Sequence, residues 1–393
     1  MSANLGERLR DTRKRRGLSQ RELSERSGVS LTLIRKLERG ERTDTRLETA
    51  RQLAHALKVP TTRLITEHTE APAGPDTVNH WAPVHAALAA TPDPNRNSPE
   101  EPTYDGIRDA LKAATPLFST DRFDTLTTVL PPLLRDTEAL TETHPRARPL
   151  RARLLELTGW LMTQTRQFDA AELALERALD DATDHVQAAA TINNQCWLLL
   201  RRGKLAQARE LAVRWADEVE PRMSRATPSE LSTWGWLLLR LSAAAIRDNR
   251  PGEAENALRL AHSAAVALGQ ECTPEGDFLR TFGPVTVALK RTENAMVAGQ
   301  PEKVLTLASR IPAHSLKPTS NNRNRHLLDV ANAHTQLRQY AEAMNTFQEI
   351  RAGSPQWLPH QQYARDVLGR VLSGSRRLTP EMRELANLVQ LRL

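Results

Sequence analysis

A short pattern that returns five times between residues 166 and 343 most constrains how this chain folds. Each copy is a polar turn followed by a small apolar residue, as in Arg166–Ala171 and Arg338–Ala343. Because a small side chain just after a turn lets two helices pack closely, each copy predicts a helical hairpin. The small residues are Ala171, Ala208, Ala254, Val304 and Ala343, spaced 37, 46, 50 and 39 residues apart. Repeated hairpins of this kind stack into a solenoid with one continuous core.

Composition favours an all-α chain and disfavours several other classes. Aromatic residues make up 4% of the 393 residues, which is low for a β-sandwich. Residues 1–16 lack the apolar stretch of a signal peptide, and no segment reaches the roughly 18 apolar residues of a membrane span. Cys196 and Cys272 lie far apart, without the C-x-x-C spacing of a zinc site. We therefore expect a cytoplasmic protein without disulfide, metal, cofactor or membrane partner.

Charge divides the chain into two unequal parts. Residues 1–65 carry 16 Lys and Arg against 8 Asp and Glu, whereas the remainder has a net charge of −1. A small basic head on a near-neutral body predicts a module that binds a polyanion. Proline-rich stretches at 71–75 and 91–99, with one isolated short helix at 81–90 between them, indicate a linker. The expected domains are a head at 1–68, a linker at 69–103 and a helical body at 104–393.

Local signals in the head predict short helices joined by tight turns. Ser19 lies three residues before Glu22, the spacing of a capping box, so a second helix is expected directly after it. Gly28 can supply the positive φ of a tight interhelical turn. Ser30 then caps a third helix, Leu31–Arg39.

Two more helices are expected to complete the head. Thr45 and Glu48 repeat the capping-box spacing and predict a fourth helix with Thr45 as its cap. A short fifth helix over Thr61–Glu67 would bring Leu64 and Ile65 back onto the core. The head is therefore predicted to contain five helices around a small apolar centre.

These runs resemble the Cro/C1 (XRE-type) helix-turn-helix domain. The resemblance rests on Leu18–Leu23, Gly28–Ser30 and Leu37–Arg42, and it covers about 65 residues. It implies a five-helix domain whose third helix lies in the major groove of double-stranded DNA. It also implies that Glu38 pairs with Arg13 of the first helix instead of contacting a base.

The resemblance places the DNA contacts on the second and third helices. Arg35 carries a fork that matches guanine O6 and N7, and Thr32 and Leu31 lie nearest the base edges. Gln20 would hold a phosphate and one base. The other candidates start the recognition helix or neutralise phosphates, and they are Ser30, Arg21, Lys36, Arg39 and Arg42. The proline usual after this stretch is absent, and Asp44 stands there instead, where it repels a phosphate.

The body resembles tetratricopeptide-like arrays, and more narrowly an actinobacterial group that joins an XRE-type head to such an array. The narrower resemblance rests on Trp234–Leu239 and Phe282–Leu289 and spans nearly the whole chain. It implies a tetratricopeptide-like α-solenoid behind the head. It also implies a regulator of transcription with a sensing body.

Polar and aromatic residues on the expected inner surface form a candidate ligand site, because the first helices of the hairpins line that surface. Amide groups grip an extended peptide there, and tryptophan covers an apolar ligand. The candidates are Asn193, Asn194, Trp197, Trp234, Arg240, Thr286 and Lys290. The last two stand where other members of the narrower group tend to have Asn and His. The alternative is that Trp160, Trp197 and Trp234 pack between helices and that the asparagines cap helices or face water.

Motifs of enzymes and metal sites do not occur in the sequence. It contains no G-x-S-x-G elbow, no H-E-x-x-H pair and no glycine-rich phosphate loop, so we expect no catalysis. Asp180, Asp181 and Asp184 form one acidic group, which is expected to be a solvated helix end and not a metal site.

The sequence thus predicts a sequence-specific transcriptional regulator located at the nucleoid. Its partners would be a double-stranded DNA operator and a small-molecule or peptide effector. A homodimer is expected, because one head reads only a few base pairs and two heads multiply affinity. The alternative is an adaptor whose body docks a protein partner, with DNA binding serving only to localise it.

Overall fold

The computed structural model describes residues 4–65, 75–90, 101–312 and 320–391. In these ranges the fold is all-α, as predicted, and strand pairing is limited to one isolated bridge between Cys272 and Phe282. None of the helices described there combines the length and apolar character needed to cross a bilayer.

The head is formed by α1 (Leu5–Arg15), α2 (Gln20–Ser27), α3 (Leu31–Glu38), α4 (Leu47–Ala56) and a 3₁₀ turn (Thr61–Arg63). The backbone N–H of Ser19 donates to the Glu22 carboxylate at 2.7 Å, and the Ser19 hydroxyl accepts from the Glu22 N–H. Gly28 has a φ of 69° after α2, and the Ser30 hydroxyl caps α3. The capping box, the turn and the cap are therefore confirmed.

Two predictions about the end of the head are wrong in detail. The cap of α4 is Arg46 and not Thr45, which is buried, while Glu48 pairs with Arg51 at 2.9 Å instead of closing a capping box. The fifth helix is only the 3₁₀ turn, and residues 66–67 lie outside the described ranges. One such turn is enough, because it already returns Leu64 and Ile65 to the buried core.

The body contains fifteen α-helices in the described ranges. They are α5 (Pro75–Ala89), α6 (Tyr104–Ser119), α7 (Phe123–Thr143), α8 (Arg148–Gln164), α9 (Phe168–Asp180), α10 (His185–Arg201), α11 (Leu205–Glu218), α12 (Pro228–Arg247), α13 (Pro251–Leu268), α14 (Pro284–Val297), α15 (Pro301–Ala308), α16 (Ser320–Gln336), α17 (Tyr340–Gly353), α18 (Gln362–Gly374) and α19 (Pro380–Leu388). The long segment between α13 and α14 accounts for the widest repeat spacing.

The five predicted hairpins are present, from α8–α9 to α16–α17. In each hairpin the residue five positions before the small one has a positive φ, and the small residue is at most 1% exposed. The positive-φ residues are Arg166, Gly203, Asn249, Gly299 and Arg338. A sixth hairpin, α6–α7, has the same turn at Asp121, which has a φ of 57°. Sequence reasoning missed it because Leu126, and not a small residue, occupies the packing position.

The first helices of the hairpins form a continuous inner layer. Successive members from α8 through α10, α12, α14 and α16 to α18 contact one another. Each second helix packs against the first helix of its own hairpin, and α9, α11, α13, α15 and α17 also contact the next first helix. Side chains on one face of the even-numbered helices therefore share the interior of the solenoid.

The helix expected to be isolated in the linker is part of the body. It begins at Pro75 and packs against α7 and α9. Trp81 is fully buried, and its ring lies 6.2 Å from that of Phe123. The expectation of an isolated helix is therefore wrong, because this aromatic pair joins α5 to the main core. Residues 91–100, which include the second proline-rich stretch, lie outside the described ranges.

Candidate DNA-binding surface and solenoid interior

A close approach between α1 and α3 positions the recognition helix. A Cβ added to Gly6 of α1 would lie 2.0 Å from the carbonyl oxygen of Leu37. Ile34 and Leu37 are fully buried on the opposite side of α3 from its exposed polar residues. The third helix is thus held by its apolar face, which leaves its other face open.

An ion pair inside the head holds the end of the recognition helix. The Nε and a terminal nitrogen of Arg13 donate to the two Glu38 carboxylate oxygens at 2.7 and 2.8 Å. Gln20 donates to the same carboxylate at 2.8 Å. Burial alone would raise the pKa of Glu38, yet these hydrogen bonds and the nearby arginine hold that pKa below its usual value. The pair implied by the resemblance is therefore present, and it fixes α1, α2 and α3 together.

The outward face of α3 is polar and cationic. Thr32, Arg35 and Lys36 are exposed and Leu31 is half-buried. Within the described ranges neither Arg35 nor Lys36 forms an ion pair, so both are available to a polyanion. Arg39, just after the helix, lies 3.4 Å from Glu41 in an exposed pair worth little.

The other candidate contacts differ in how they are engaged. Gln20 is held by Glu38, and Ser30 is occupied in capping α3. Arg21 pairs with a neighbouring acid on α2 at 3.2 Å, with both side chains well exposed. Arg42 lies 3.7 Å from Asp44, the acid expected to weaken phosphate contacts of this loop.

The candidate ligand residues fall into two groups in the body. Asn193, Trp197, Arg240 and Lys290 come together around Trp236. The Nε of Arg240 donates to Asn193 at 2.9 Å, and the guanidinium lies 5.8 and 5.0 Å from the rings of Trp197 and Trp236. Lys290 lies 5.8 Å from the Trp236 ring as well. Burial lowers the pKa of Arg240 to about 10.

Trp236 was missing from the candidate set, although its spacing gave a signal. It lies four residues before Arg240 on α12, which places both on one helix face. The predicted candidate Trp234, by contrast, is buried in the apolar core at 6% exposure. Trp234 therefore packs between helices, which was the alternative to a ligand contact.

Asn194 and Thr286 lie elsewhere. Asn194 is buried and donates to Glu156 at 3.1 Å. Thr286 hydrogen-bonds with Glu271, which accepts from the first N–H groups of α14. Both residues thus have structural partners away from Arg240.

Charged groups of the inner layer extend from Lys290 toward α18. Lys290 donates to Glu293 at 2.9 Å, and Arg247 donates to the same carboxylate at 2.6 Å. Burial would raise the pKa of Glu293, but Lys290, Arg247 and Arg325 hold it well below its usual value. We call the residues of this region the inner cluster: Asn193, Trp197, Trp236, Arg240, Arg247, Lys290, Glu293, Arg325, Asp329 and Tyr363.

The α18 end of the inner cluster contains an unusual carboxyl group. The hydroxyl of Tyr363 donates to Asp329 at 3.0 Å. Burial, together with the charge of Glu293, raises the pKa of Asp329 to about 7. The neighbouring His326 is nearly buried, and burial lowers its pKa to about 4.

A groove of about 920 Å³ opens elsewhere in the solenoid, and none of the residues that line it belongs to the inner cluster. Residues of α6, α8, α10 and α12 line it, together with the segment before α14. Arg153 joins its buried wall by pairing with Glu156 and Asp277. The volume is in the range of pockets that hold small ligands.

The acidic group at the end of α9 has structural roles. Asp181 is 6% exposed and pairs with Arg151 at 2.6 Å, and Asp184 caps α10 by accepting from Gln187 at 2.8 Å. The prediction of a solvated helix end is wrong for Asp181, because the arginine compensates its burial. In the described part of the chain, no three ligand-type side chains are grouped to hold a metal ion.

The head contacts the body through the turn between α12 and α13. The Thr61 hydroxyl donates to the carbonyl of Arg247, and the backbone N–H of Thr62 donates to Asp248, both at 2.8 Å. The side-chain amide of Asn249 donates to the carbonyl of Arg51 at 3.3 Å. Sequence reasoning found no sign of this junction, since Asn249 belongs to an ordinary repeat turn.

Comparison with protein families gives a match to the amino-terminal region. Residues 9–64 match the model of a family described as helix-turn-helix. No curated protein matches the chain. The matched segment contains the capping box at Ser19, the turn at Gly28 and the exposed face of α3. The chain therefore carries, over residues 9–64, an XRE-type helix-turn-helix domain, which is a DNA-binding module of regulators.

Proposed function

We propose that this chain is a sequence-specific transcriptional regulator whose solenoid senses a small molecule or peptide and thereby controls operator binding. The head at 1–68 reads DNA, and the helical body, which includes α5 after the first proline-rich stretch, is a tetratricopeptide-like sensing unit. The protein acts as a homodimer, since two heads one DNA turn apart multiply affinity and specificity.

The contacts of α3 support the DNA-reading role. Arg35 is exposed and bonds guanine through its fork, while Thr32 and Leu31 reach neighbouring base edges. Lys36, together with Arg21, Arg39 and Arg42, neutralises phosphates and sets the register. Gln20 keeps its bond to Glu38 and offers its amide edge to the backbone.

One residue, Arg247, carries the regulatory part of the proposal. Its carbonyl oxygen accepts from Thr61 of the head, and its guanidinium pairs with Glu293 of the inner cluster. A ligand that forms an ion pair with Lys290 or Arg240 changes the charge balance around Glu293. This change alters the pairing of Glu293 with Arg247 and so moves Arg247. Such a ligand shifts the population of head orientations toward the one it binds more tightly, by as much as its affinities for the orientations differ.

The inner cluster suits an effector with an anionic group. Arg240 donates from Nε to Asn193, and its guanidinium carbon lies 5.8 and 5.0 Å from the ring centres of Trp197 and Trp236. Lys290 lies on the same tryptophan. Cations over aromatic rings bind a carboxylate beside an apolar group, the pattern of a peptide terminus or an acidic metabolite.

Selection from a random duplex pool tests the DNA-reading role. The full-length protein should enrich a motif with two half-sites, and its affinity should fall steeply with salt. Failure to prefer any duplex would contradict this role.

The sensing role is tested by adding metabolite fractions or short peptides to the full-length protein. A true effector raises the melting temperature and also changes affinity for the selected operator. Glu293→Gln should abolish the second effect, whereas the exposed control Glu25→Gln should preserve it. A protein that copurifies in stoichiometric amount, with no response to small ligands, would favour the adaptor instead.

A further inference from the structure

α18 lies beside the segment that joins the recognition helix to α4. Arg46, the last residue of that segment, donates to Asp366 of α18 at 3.1 Å, and its side chain remains 69% exposed. An open pocket of about 470 Å³ is lined by Arg46 and by one face of α18. The surface of the head is therefore continuous with α18.

The walls of this pocket are basic. Arg46, Arg365 and Arg370 line it together with a single carboxylate, Asp366. Arg365 is fixed by two backbone carbonyl oxygens, each at 2.7 Å. Three fixed or tethered cations around one acid leave a surplus of positive charge.

More cations follow at the carboxyl end of α18. Arg370, one turn after Asp366, donates to Asn332 at 2.8 Å and is still exposed. Arg376 and Arg377 come two and three residues after Gly374 of the pocket wall, hence within about 10 Å of it. Both are exposed, and in the described ranges neither forms an ion pair.

We propose that Arg370, Arg376 and Arg377 bind backbone phosphates of the DNA that flanks the base pairs read by α3. This inference rests on the proposed function, because it assumes that α3 enters the major groove. Elements next to a recognition helix contact the DNA backbone in such domains, and Arg46 is next to α3 here. The duplex continues past this edge with one negative charge per about 1.7 Å, so the arginines of α18 meet phosphates whatever the sequence.

The body thereby acts as a second, sequence-independent DNA contact and not only as a sensor. Because the head is bound to the turn after α12, the position of these arginines relative to α3 is set by the junction at Thr61 and Asp248. The operator footprint should then extend beyond the bases that α3 reads.

Salt titrations on two duplexes test the proposal. One duplex extends about one turn beyond each selected half-site, and the other ends at the half-sites. The variant Arg370→Gln/Arg376→Gln/Arg377→Gln, in the full chain, should make the slope of log K against log salt on the long duplex less negative by about 2 to 3 per protomer. On the short duplex the variant and the wild type should bind equally.

Matched controls separate this effect from general charge loss and from misfolding. Arg214, Arg222 and Arg225 are exposed. Arg214 belongs to α11, and Arg222 and Arg225 lie in the segment before α12, whose 20 residues span about 30 Å from that segment to the turn that binds the head. Their replacement by Gln should leave the slope unchanged on both duplexes. The double variant Arg376→Gln/Arg377→Gln keeps the Arg370 bond to Asn332 and should still make the slope on the long duplex less negative by about 1 to 2.

Three results would overturn the proposal. An unchanged slope on the long duplex, with the sequence preference of the wild type intact, removes the flanking contact but not the proposed function. If the triple variant loses equal affinity on the long and the short duplex, the arginines support the structure of the head and do not bind flanking DNA. The third result is that inorganic phosphate stabilises the wild type but not the triple variant, while the salt slopes of the two proteins are equal. In that case the pocket binds a free anion and not DNA. Loss of sequence preference in the wild type itself would instead refute the proposed function.

Discussion

The head and the body use charged residues in opposite ways. The head packs an apolar core of residues such as Leu9 and Ile34 and keeps most of its cations outside, with Arg13 and Arg51 as buried exceptions. The body places Lys290, Glu293 and Asp329 in its interior, where each depends on a charged or hydrogen-bonding neighbour.

This difference shows what each part is suited to do. Exposed arginines and lysines cost little to keep and remain free to bind phosphates. Buried charges lose their hydration, so the fold around them remains stable only while their charged partners are in place. The surface cations of the head are therefore free to bind DNA, as the proposed function requires, whereas the buried charges of the body make its stability sensitive to the loss of any one partner.

The largest expected effect comes from removing a buried charge of the body. Glu293→Gln leaves Lys290 and Arg247 without their shared carboxylate and should destabilise the body by about 3 to 5 kcal/mol, as measured by urea unfolding. The exposed control Glu25→Gln, which loses only its pair with Arg21, should cost at most about 0.5 kcal/mol. Similar losses for both variants would break the contrast between interior and surface charge.

A smaller effect is expected at the internal ion pair of the head. Glu38→Gln weakens charged hydrogen bonds from Arg13 and Gln20, which should cost about 1.5 to 3 kcal/mol of head stability at pH 7. The pKa of Glu38 is lower in the folded state, so its contribution is present above the unfolded pKa and is lost as pH falls through the folded value. The difference in head stability between variant and wild type, followed by near-ultraviolet circular dichroism, should therefore disappear as the pH falls. A difference that stays constant while the pH falls through the whole acid range would contradict an ionised role.

Replacing two surface residues of the recognition helix should change DNA binding in two different ways. Arg35→Ala should lose about 1 to 3 kcal/mol on the selected operator and relax the preference at one base pair. Lys36→Ala should weaken cognate and random duplexes alike and reduce the salt slope by about 1. Equal losses of both variants on both duplexes, measured by fluorescence anisotropy, would refute the assignment of Arg35 to a base.

The smallest expected effect is at the junction between head and body. Thr61→Val leaves the carbonyl of Arg247 unpaired and should cost about 0.5 to 1.5 kcal/mol of docking free energy, seen as faster hydrogen exchange in both partners. Thr62→Val is the matched control, because Thr62 bonds to Asp248 through its backbone N–H and keeps that bond. Identical exchange in the two variants would mean that the hydroxyl of Thr61 does not hold the head.

The sequence predicted the features that depend on neighbouring residues. The capping box at Ser19, the turn at Gly28 and the hairpin turns each follow from a few adjacent side chains, and all are present. Thr45 was chosen wrongly as a cap because Glu48 has a competing partner in Arg51, one helical turn away. Local spacing alone does not decide between two such partners.

The features that depend on distant contacts were not predictable in the same way. The burial of Trp81 depends on Phe123, and the pairing of Asp181 depends on Arg151, thirty or more residues away. The junction joins Thr61 to Arg247 through a backbone carbonyl, which every residue has and which therefore leaves no mark in the sequence. The inner cluster was found only in part, because which face of α12 turns inward is set by the stacking of the hairpins.

The turn at residues 248–250 has a consequence for how this architecture can evolve. It sits near the middle of the array, with hairpins on both sides, and it is where the head is attached. Units added or lost at either terminus leave that anchor untouched. The number of hairpins in the array can therefore change while the head keeps the same attachment.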